Sequence, residues 1–546
     1  MTAATSTGHN AGLPPPHLLG APAKFTEWRS QQESALLYPI ESEQRFTLQG
    51  MPTGFGKSLT YVGRALLTGR RTCVLTVTKG LQQQNMDDFK ASGMVDVRGQ
   101  SSYPCIALAY GLFGDPIRAG CDEGPCHHGA ACKFRKEGCG YFDAYDAANT
   151  APLVVTNYAY WLNINAYKEG GMGEFDELIL DEAHEAVNQL ASFLAIDVER
   201  FEVEGILTSR FPNPSMDDWR EWARVQRPRC QALYDGLKEE YQEAIAEGGR
   251  APASLRREIR TVSALRLKLI RIAALKGRWL VVPRRTSVSL QPVWVAPYAE
   301  EYLFRGVPHI NLVSATLRPK AAQLLGITDY DFKEYPSAFP VRRRPVMHVP
   351  TVKLTHKSSI EDRGKWVARI DQIIGGRRDR KGIIHTVSYS RQKEILERSH
   401  YCDLMMVNTT GNTLGVVEKF KEATAPCVLV SPALSTGWDF PYAECEYQII
   451  AKIPFPDSSD PIVAARSRDD EDYAGYVAMM ALVQMAGRGM RAADDQCEVF
   501  IVDDNAKWFM WKYRKFAPFW FTQAVKWLKV LPPVPPRIGA DLVRQH

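Results

Sequence analysis

The 546-residue sequence lacks any long uninterrupted apolar run, and none approaches the roughly 18 to 20 residues that a membrane-spanning helix needs. Its amino terminus also lacks the basic-then-apolar order of a secretory leader. These two features argue against an integral membrane protein and against export. We therefore expect a cytoplasmic protein with no membrane partner, whose first residues, 1–24, are flexible.

The sequence also has little net charge for its length, with 67 Lys and Arg residues against 62 Asp and Glu residues. A balance of +5 does not identify a partner unless the charge is locally clustered. Apolar residues make up 45% and charged residues 24%, which excludes wholesale disorder. The length predicts about three to four domains.

The eleven cysteines are not distributed like those of a small disulfide-rich protein. Five of them fall between Cys105 and Cys139, and the other six are scattered along the chain. Clustered thiols of this kind indicate a metal site.

Short β-rich apolar runs alternate with helical stretches over most of the chain, which predicts α/β domains with parallel sheets. Two stretches interrupt this alternation. One is the cysteine segment, and the other, residues 185–285, reads as charged amphipathic helices without clear strands. The pattern predicts two α/β units with two insertions. The predicted strands are Arg45–Gln49, Cys73–Val77, Glu177–Leu180, Ile310–Val313, Gly382–Val387, Cys427–Val430, Tyr447–Ala451 and Glu498–Val502.

The first predicted strand leads into MPTGFGKS and then into a helical segment. In such a glycine-rich turn, backbone N–H groups and the helix N-terminus face phosphate oxygens, Lys57 reaches the β- and γ-phosphates, and Ser58 can bind Mg²⁺. The strand before it and the helix after it favour a nucleotide site over a surface turn. The predicted nucleotide-binding residues here are Thr53, Gly54, Gly56, Lys57 and Ser58.

A later strand ends in ELILDEAHE. An acidic residue at the carboxyl end of a buried parallel strand, here Asp181, is suited to hold Mg²⁺ between phosphates. Its neighbour Glu182 can orient or deprotonate an attacking water. An isolated Asp-Glu pair is usually a solvated helix start, but the upstream glycine-rich turn favours the catalytic interpretation.

Three further segments carry candidate residues. Ser314 and Thr316 follow the strand HINLV, and Gly437 and Asp439 lie in SPALSTGWDFP. QMAGRGMRAADD contains Gln484, Arg488 and Arg491. Arginines three apart share a helix face and can reach a γ-phosphate across a cleft as arginine fingers, although either one can equally be a surface residue.

Eight segments follow one another in the order of superfamily-two helicase motifs: WRSQQ (with Gln32), MPTGFGKS, TVTKGLQQQ, DEAH, SATL, GIIHTVSYS, STGWDF and QMAGRGMR. More narrowly, the chain resembles the XPD/DinG family from about Phe25 to Asp504, with RGQSSYPC, CGYFDA, VVTNYAYWL and IIAKIPFPDSSDP also similar. It departs from that family at Met51, Ser58 and Tyr158.

The resemblance implies two RecA-like domains with ATP and Mg²⁺ in the cleft between them. It implies an ATP-dependent helicase that moves 5′ to 3′ on single-stranded and forked DNA. Gln32, Gly437, Asp439 and Gln484 would then contribute to the nucleotide site, and His184, Ser314, Thr316 and Gln484 would couple the ATP state to the grip on nucleic acid. The compact length favours a prokaryotic or phage protein.

Residues 1–24 are expected to be flexible. The first RecA-like domain is expected to comprise residues 25–104, 141–186 and 289–322, and the second to comprise residues 323–546. Two insertions interrupt the first domain: an iron-sulfur domain at 105–140 and a helical arch-like insertion at 187–288.

The cysteine spacing lacks the paired C-x2-C knuckles of a zinc ribbon, which favours a 4Fe-4S cluster over zinc. By resemblance, the first ligand is Cys105, after Tyr-Pro, and the last is Cys139, before an aromatic pair. We favour Cys126 and Cys132 as the middle ligands, with Cys121 as the alternative. Zinc binding with help from His127 and His128, and buried free cysteines, remain possible interpretations.

The helical insertion contains eleven Lys or Arg residues between Arg250 and Arg285 against a single acid, Glu258. Six apolar residues at helical spacing are expected to pack inward and turn many basic residues outward. We therefore predict phosphate contacts from Arg256, Arg257 and Arg260, against the simpler interpretation of a helix made soluble by charge. The inward-facing set is Leu255, Ile259, Val262, Leu265, Leu269 and Ile272.

Two other classes of function remain open from the sequence. One is a nucleic-acid-stimulated ATPase that translocates or remodels complexes without separating strands. The other is a non-catalytic, metal-cluster DNA-binding scaffold, which the complete set of ATP motifs argues against.

Overall fold

The structure is a computed structural model. It describes residues 12–111, 118–128, 131–136, 138–168, 170–246, 252–355, 357–409, 411–432, 440–490 and 495–535. No helix in these parts of the chain combines the length and the apolar character that a bilayer crossing requires.

The described residues form the following strands: β1 (Phe46–Gly50), β2 (Thr72–Thr76), β3 (Met94–Asp96), β4 (Leu153–Asn157), β5 (Glu177–Asp181), β6 (Ile196–Glu199), β7 (Trp279–Pro283), β8 (Ser287–Pro292), β9 (His309–Ser314), β10 (Asp331–Glu334), β11 (Val346–His348), β12 (Lys381–His385), β13 (Met405–Val407), β14 (Cys427–Ser431), β15 (Tyr447–Ile450), β16 (Glu498–Ile501) and β17 (Val525–Trp527).

They also form the following helices: α1 (Gln32–Glu41), α2 (Lys57–Thr68), α3 (Lys79–Phe89), α4 (Ile106–Ala109), α5 (Gly140–Thr150), α6 (Tyr158–Tyr167), α7 (Ala186–Leu194), α8 (Met216–Ala246), α9 (Ala253–Ala274), α10 (Ala296–Tyr298), α11 (Pro319–Leu324), α12 (Ile360–Gly375), α13 (Tyr389–Arg398), α14 (Thr413–Glu422), α15 (Pro461–Asp469), α16 (Tyr473–Ala486), α17 (Asn505–Tyr513) and α18 (Phe519–Thr522).

Two seven-stranded parallel sheets organise the fold. The first has the order β10-β1-β9-β5-β2-β4-β3, and the second has the order β13-β14-β12-β15-β16-β11-β17. Most of their strands are buried along their whole length, as expected when helices cover both faces of a sheet. The predicted fold class, two RecA-like α/β domains, is confirmed, and all eight predicted strands are present within two residues at each end.

The first sheet holds its site-bearing elements together through a buried ion pair. Arg64 on α2 donates to the Glu177 carboxylate at the start of β5, with 2.8 Å between Nε and Oε1, and to the Asn311 side-chain oxygen in β9. All three side chains are buried. Breaking a buried pair by removing one partner costs on the order of 3 to 5 kcal/mol, so this contact fixes α2 against β5 and β9.

The insertion after β5 is not purely helical, which corrects the sequence-based expectation. Strands β6, β8 and β7 form a small antiparallel sheet in that order. The strands were missed because each is short and lies next to a strongly helical, charged segment. Helices α8 and α9 pack against each other, and all six predicted inward-facing residues of α9 are buried, as expected.

Two expected boundaries also need correction. Strand β10 hydrogen-bonds to β1, so the first sheet extends beyond residue 322, and β8 crosses the expected boundary at 288.

Residues 12–24 are not a loose tail. Residues Pro16–Leu19 form a short 3₁₀ helix packed on α2, and Trp28 donates to the Pro14 carbonyl.

Candidate functional site

Three segments of the site meet because their strands are neighbours. In the first sheet β9 lies between β1 and β5, and the register pairs Gly50 with Ser314 and Asp181 with Val313. The glycine-rich turn after β1 and the acidic segment after β5 therefore flank the end of β9. A hydrogen bond of 3.0 Å from the Met51 amide to the Ser314 carbonyl continues this alignment past the end of β1.

The turn between β1 and α2 has a backbone that requires glycine. Gly54 and Gly56 have φ values of +77° and +83°, and a side chain on Gly56 would lie 2.3 Å from the Gln32 amide nitrogen. Gln32 Nε2 donates to the Phe55 carbonyl at 2.8 Å. The sequence predicted Gln32 as a nucleotide ligand, whereas here it is buried behind the turn and positions it.

A cavity of about 690 Å³ opens above this turn and extends to the second domain. Thr53, Gly54, Gly56, Lys57 and Ser58 line it from one side. Asp181, Glu182 and His184 line it at the end of β5. Lys421 and Arg488 line it from the second domain. Ser58 and Asp181 supply hydroxyl and carboxylate oxygens, the ligand types that suit Mg²⁺.

The charges at the centre of the cavity are paired. Lys57 Nζ lies 3.0 Å from Glu182 Oε1. Burial, and then the Glu182 charge, raise the pKa of Asp181. Burial also acts to raise the pKa of Glu182, but the Lys57 and His184 charges oppose it, and the pKa falls below its ordinary value. Glu182 is thus held ionised, the form that can accept a proton from water.

Ser314 lies at the centre of a hydrogen-bond network behind Glu182. Its Oγ donates to Glu182 Oε2 at 3.1 Å and lies 2.7 Å from His184 Nδ1. It also accepts from the Thr316 amide at 3.2 Å. Burial lowers the pKa of His184, which favours a neutral ring that donates from Nδ1 to Ser314. The structure therefore brings together three of the four residues predicted to act in coupling, and the fourth, Gln484, lines the same small space as His184 and Thr316.

The acidic segment has an unusual backbone. Glu182 has φ +49° and ψ +46°, the left-handed region that costs a non-glycine residue roughly 1 to 2 kcal/mol. Tyr158, where the family often has His, donates its hydroxyl to the Asp181 carbonyl at 3.1 Å. Such strain, held in place by surrounding contacts, is typical of functional positions.

The second domain reaches the cavity through the end of α16. A Cβ atom on Gly487 would lie 3.8 Å from Thr53 Oγ1, and Gln484 and Arg488 line a smaller space beside Lys57 and Glu182. Lys421, from α14, was not predicted, because a lysine in a charged helix carries no motif signal. Gly437, Asp439 and Arg491 lie outside the described residues, so their predicted roles remain predictions.

The five clustered cysteines converge in the structure. Cys105, Cys121 and Cys139 are buried, Cys126 and Cys132 are half-buried, and the Cys121 and Cys139 sulfurs are 3.9 Å apart. Burial raises the pKa of the Cys105, Cys121 and Cys126 thiols, and the neighbouring thiols raise each of them further. In the described residues no group of side chains is arranged to hold a single metal ion. Five converging thiols are one more than the four that a 4Fe-4S cubane requires.

Several basic residues of the insertion already bind protein groups, which leaves fewer basic residues for the predicted phosphate contacts. Lys268 pairs with Glu202, Arg271 donates to main-chain carbonyls of α7, and Arg278 pairs with Asp469. Of the three arginines predicted to bind phosphate, Arg257 and Arg260 are exposed and Arg256 is half-buried. Arg260 lies 3.9 Å from Glu123, so this end of α9 adjoins the cysteine segment.

Comparisons with known proteins agree with this architecture. Residues 377–523 match the family model for a helicase C-terminal domain, and residues 25–208 match the model for the type III restriction enzyme res subunit. No curated protein matches the sequence significantly.

The fold is similar to three solved XPD structures, each matched over 92% of this chain and 100% of the other. An XPD helicase has a TM-score of 0.62 at 15% identity, apo XPD has 0.57 at 14%, and Xpd4 of S. tokodaii has 0.57 at 12%. The resemblance inferred from the motifs is thus confirmed at the level of the fold. Together with the two family models, it supports a helicase-type, nucleic-acid-dependent ATPase.

We expect Lys57→Ala and Glu182→Gln to abolish ATP turnover while retaining nucleic-acid binding. The first change removes the charge next to the phosphates, and the second removes the proton acceptor but keeps its shape. Arg488→Ala should lose on the order of a thousandfold in rate if it acts as an arginine finger. Steady-state phosphate release measures all three, with the exposed Lys90→Ala as a control. Near-normal turnover in Lys57→Ala would refute the site.

Proposed function

We propose that this protein is an ATP-dependent DNA helicase of the XPD/DinG type, which translocates 5′ to 3′ on single-stranded DNA and unwinds duplex. The observation that carries the proposal is the cavity between the two domains. Groups that can bind phosphate come from both sides of it, Lys57 from the first domain and Arg488 and Lys421 from the second. A nucleotide bound there would contact both domains at once, so its hydrolysis would change their separation.

Each part of the hydrolysis step can be assigned to residues that line the cavity. Backbone N–H groups of the glycine-rich turn and Lys57 bind the β- and γ-phosphates. Ser58 and Asp181 hold Mg²⁺, which when bound neutralises charge on the phosphates. Glu182 orients a water for attack on the γ-phosphorus and takes its proton, while the bond to the ADP oxygen breaks. Arg488 stabilises the charge that develops on the transferred group.

Hydrolysis would be linked to nucleic acid through the contacts around Ser314. This residue ends β9 and touches both Glu182 and His184. The next residue in the chain, Ala315, accepts a 3.0 Å hydrogen bond from the Trp520 indole of α18. A shift between the domains would therefore move groups that contact the catalytic carboxylate. Arg257 and Arg260 on the insertion are proposed to bind the phosphates of the strand.

We further propose that the cysteine segment holds a 4Fe-4S cluster, with Cys105 and Cys139 as outer ligands. The middle ligands remain Cys126 and Cys132 by preference. Cys121 remains the alternative: it is as deeply buried as Cys105, but its sulfur lies only 3.9 Å from that of Cys139, closer than two ligands of one cubane stand. The cluster would supply structural rigidity to a segment too small to form its own core.

Strand displacement is the experiment that separates this function from its alternatives. With ATP, a duplex carrying a 5′ single-stranded tail should be unwound, while a 3′-tailed duplex and a blunt duplex should not, and Lys57→Ala should unwind none. ATP turnover stimulated by single-stranded DNA without any strand displacement would instead indicate a translocase or remodelling ATPase. A purified protein with no turnover under either condition would be a scaffold. A single-stranded RNA oligonucleotide in parallel tests the preference for DNA.

The cluster has its own test. Anaerobically purified protein should contain about four iron atoms and absorb broadly in the visible blue. Cys105→Ser and Cys139→Ser should lose this absorption, because a hydroxyl is a poor ligand for a soft metal. Comparing Cys121→Ser, Cys126→Ser and Cys132→Ser identifies the two middle ligands and the spare thiol. One zinc and no iron would contradict the cluster.

A further inference from the structure

The chain from Asn505 to Ala540 has a composition unlike the rest of the protein. It contains seven Lys or Arg residues and no Asp or Glu, although the whole chain is nearly balanced at 67 against 62. The same stretch contains nine aromatic residues, four of which are tryptophans. No role in the nucleotide cavity accounts for this combination of positive charge and large rings.

Helix α17 divides these residues between two faces. Ala506, Phe509, Met510 and Tyr513 are buried at helical spacing. The opposite face exposes Trp508 and Trp511 between lysines. Trp511 is 81% exposed, the highest value among the large apolar side chains of the described residues.

The exposed face of α17 belongs to the same domain as Arg488 but lies at the other end of α16. Helix α17 begins just beyond the carboxyl end of β16 and packs on the N-terminal part of α16, where Tyr513 lies against Gly475. The Trp508 ring stands 6.3 Å from the ring of Phe455, which follows β15. The face is thus on the carboxyl edge of the second sheet, the edge at which α13 also begins, whereas Arg488 follows α16 at the amino edge.

A basic cavity of about 530 Å³ adjoins this face. It surrounds the N-terminus of α13, where Ser388 caps the helix, and it is lined by more basic than acidic residues. A short segment around Leu354 and Thr355 separates the cavity from α17. Arg391 donates to the Thr355 carbonyl at 2.9 Å, and Asn505, the first residue of α17, donates to the neighbouring Leu354 carbonyl at 3.3 Å. The basic lining residues are Arg363, Arg391, Lys393, Arg398 and Lys452.

The acids near this face are engaged locally. Asp472 pairs with Lys515, Asp504 pairs with His348, and Asp460 caps α15. Asp457 accepts from the Ser459 hydroxyl. Lys507 and Lys512 on the outward face of α17 therefore face a surface whose carboxylates already have partners, and Lys512 Nζ lies 5.7 Å from the centre of the Trp508 ring.

We propose that Trp508 and Trp511, with Lys507 and Lys512, form a stacking surface for single-stranded nucleic acid, continuous with the basic cavity at α13. Bases stack on indole rings and lysines pair with the phosphates between them, which accounts for the exposed tryptophans and lysines of α17. We take a nucleic-acid strand as the occupant because the neighbouring cavity is basic and the proposed function supplies such a strand; a lipid surface, which also binds indoles and lysines, is an outcome of the test. The inference rests on the proposed function, because it assumes a nucleic-acid strand.

Two substitutions at one position test the stacking. Trp511→Leu keeps an apolar side chain but removes the ring, and Trp511→Phe keeps a ring. Affinity for a fluorescein-labelled oligothymidylate, measured by anisotropy, should fall by about tenfold in the Leu variant, since base stacking on an aromatic residue is worth ~1–3 kcal/mol, and should be largely kept in the Phe variant. ATP turnover without nucleic acid should stay at the wild-type rate, because Trp511 does not line the nucleotide cavity.

A direct readout uses an oligonucleotide that contains 5-iodouracil. Irradiation should crosslink it to the tryptic peptide Trp508–Lys512. Trypsin releases this peptide by cleaving after Lys507 and after Lys512, and the peptide contains both indoles. Equal oligothymidylate affinity in wild type and Trp511→Leu, with no crosslink in this peptide, would overturn the inference while leaving the helicase proposal intact. The inference would also be overturned if Trp511→Leu lost binding only to phosphatidylglycerol–phosphatidylcholine vesicles. A wild-type protein that neither binds the oligonucleotide nor is stimulated by it would instead overturn the proposed function.

Discussion

The rest of the site depends on how Glu182 is held. Lys57 pairs with one carboxylate oxygen and Ser314 donates to the other. These two residues come from β1 and β9 motifs that are far apart in the chain, and they meet at Glu182 only because β9 lies between β1 and β5. The strand order of one parallel sheet therefore determines the charge and the orientation of the group proposed to activate water.

The opposite end of the same sheet keeps this arrangement fixed. The buried ion pair of Arg64 and Glu177, extended to Asn311, ties α2, β5 and β9 together, and these elements carry Lys57, Glu182 and Ser314 at their other ends. Against this rigid half, the second domain contributes Arg488 and Lys421 across the cavity. A rigid half that binds the nucleotide and a second half that can move relative to it are what a motor needs in order to convert hydrolysis into displacement.

The motifs and strong periodicities of the sequence predicted eight of the fourteen strands of the two sheets, the glycine-rich turn, the acidic segment and the buried face of α9. Elements with weaker sequence signals were not predicted. Strands β6 and β7 were hidden beside charged helices, and β10 lies past the expected domain boundary because pairing to β1 is a long-range contact. The position of Gln32 behind the turn, the role of Lys421, and the protein partners of Lys268 and Arg271 depend on tertiary packing, which residue type and spacing do not reveal.

If Ser314 links the nucleotide site to nucleic acid, the ratio of ATP turnover with single-stranded DNA to turnover without it depends on its hydroxyl. Ser314→Ala removes the hydroxyl that joins Glu182 to His184 but leaves Lys57, Ser58 and Asp181 in place. We predict that DNA no longer stimulates turnover, so that the two rates become equal, while the lost hydrogen bond to Glu182 lowers turnover with and without DNA alike. Full stimulation in Ser314→Ala would contradict the account.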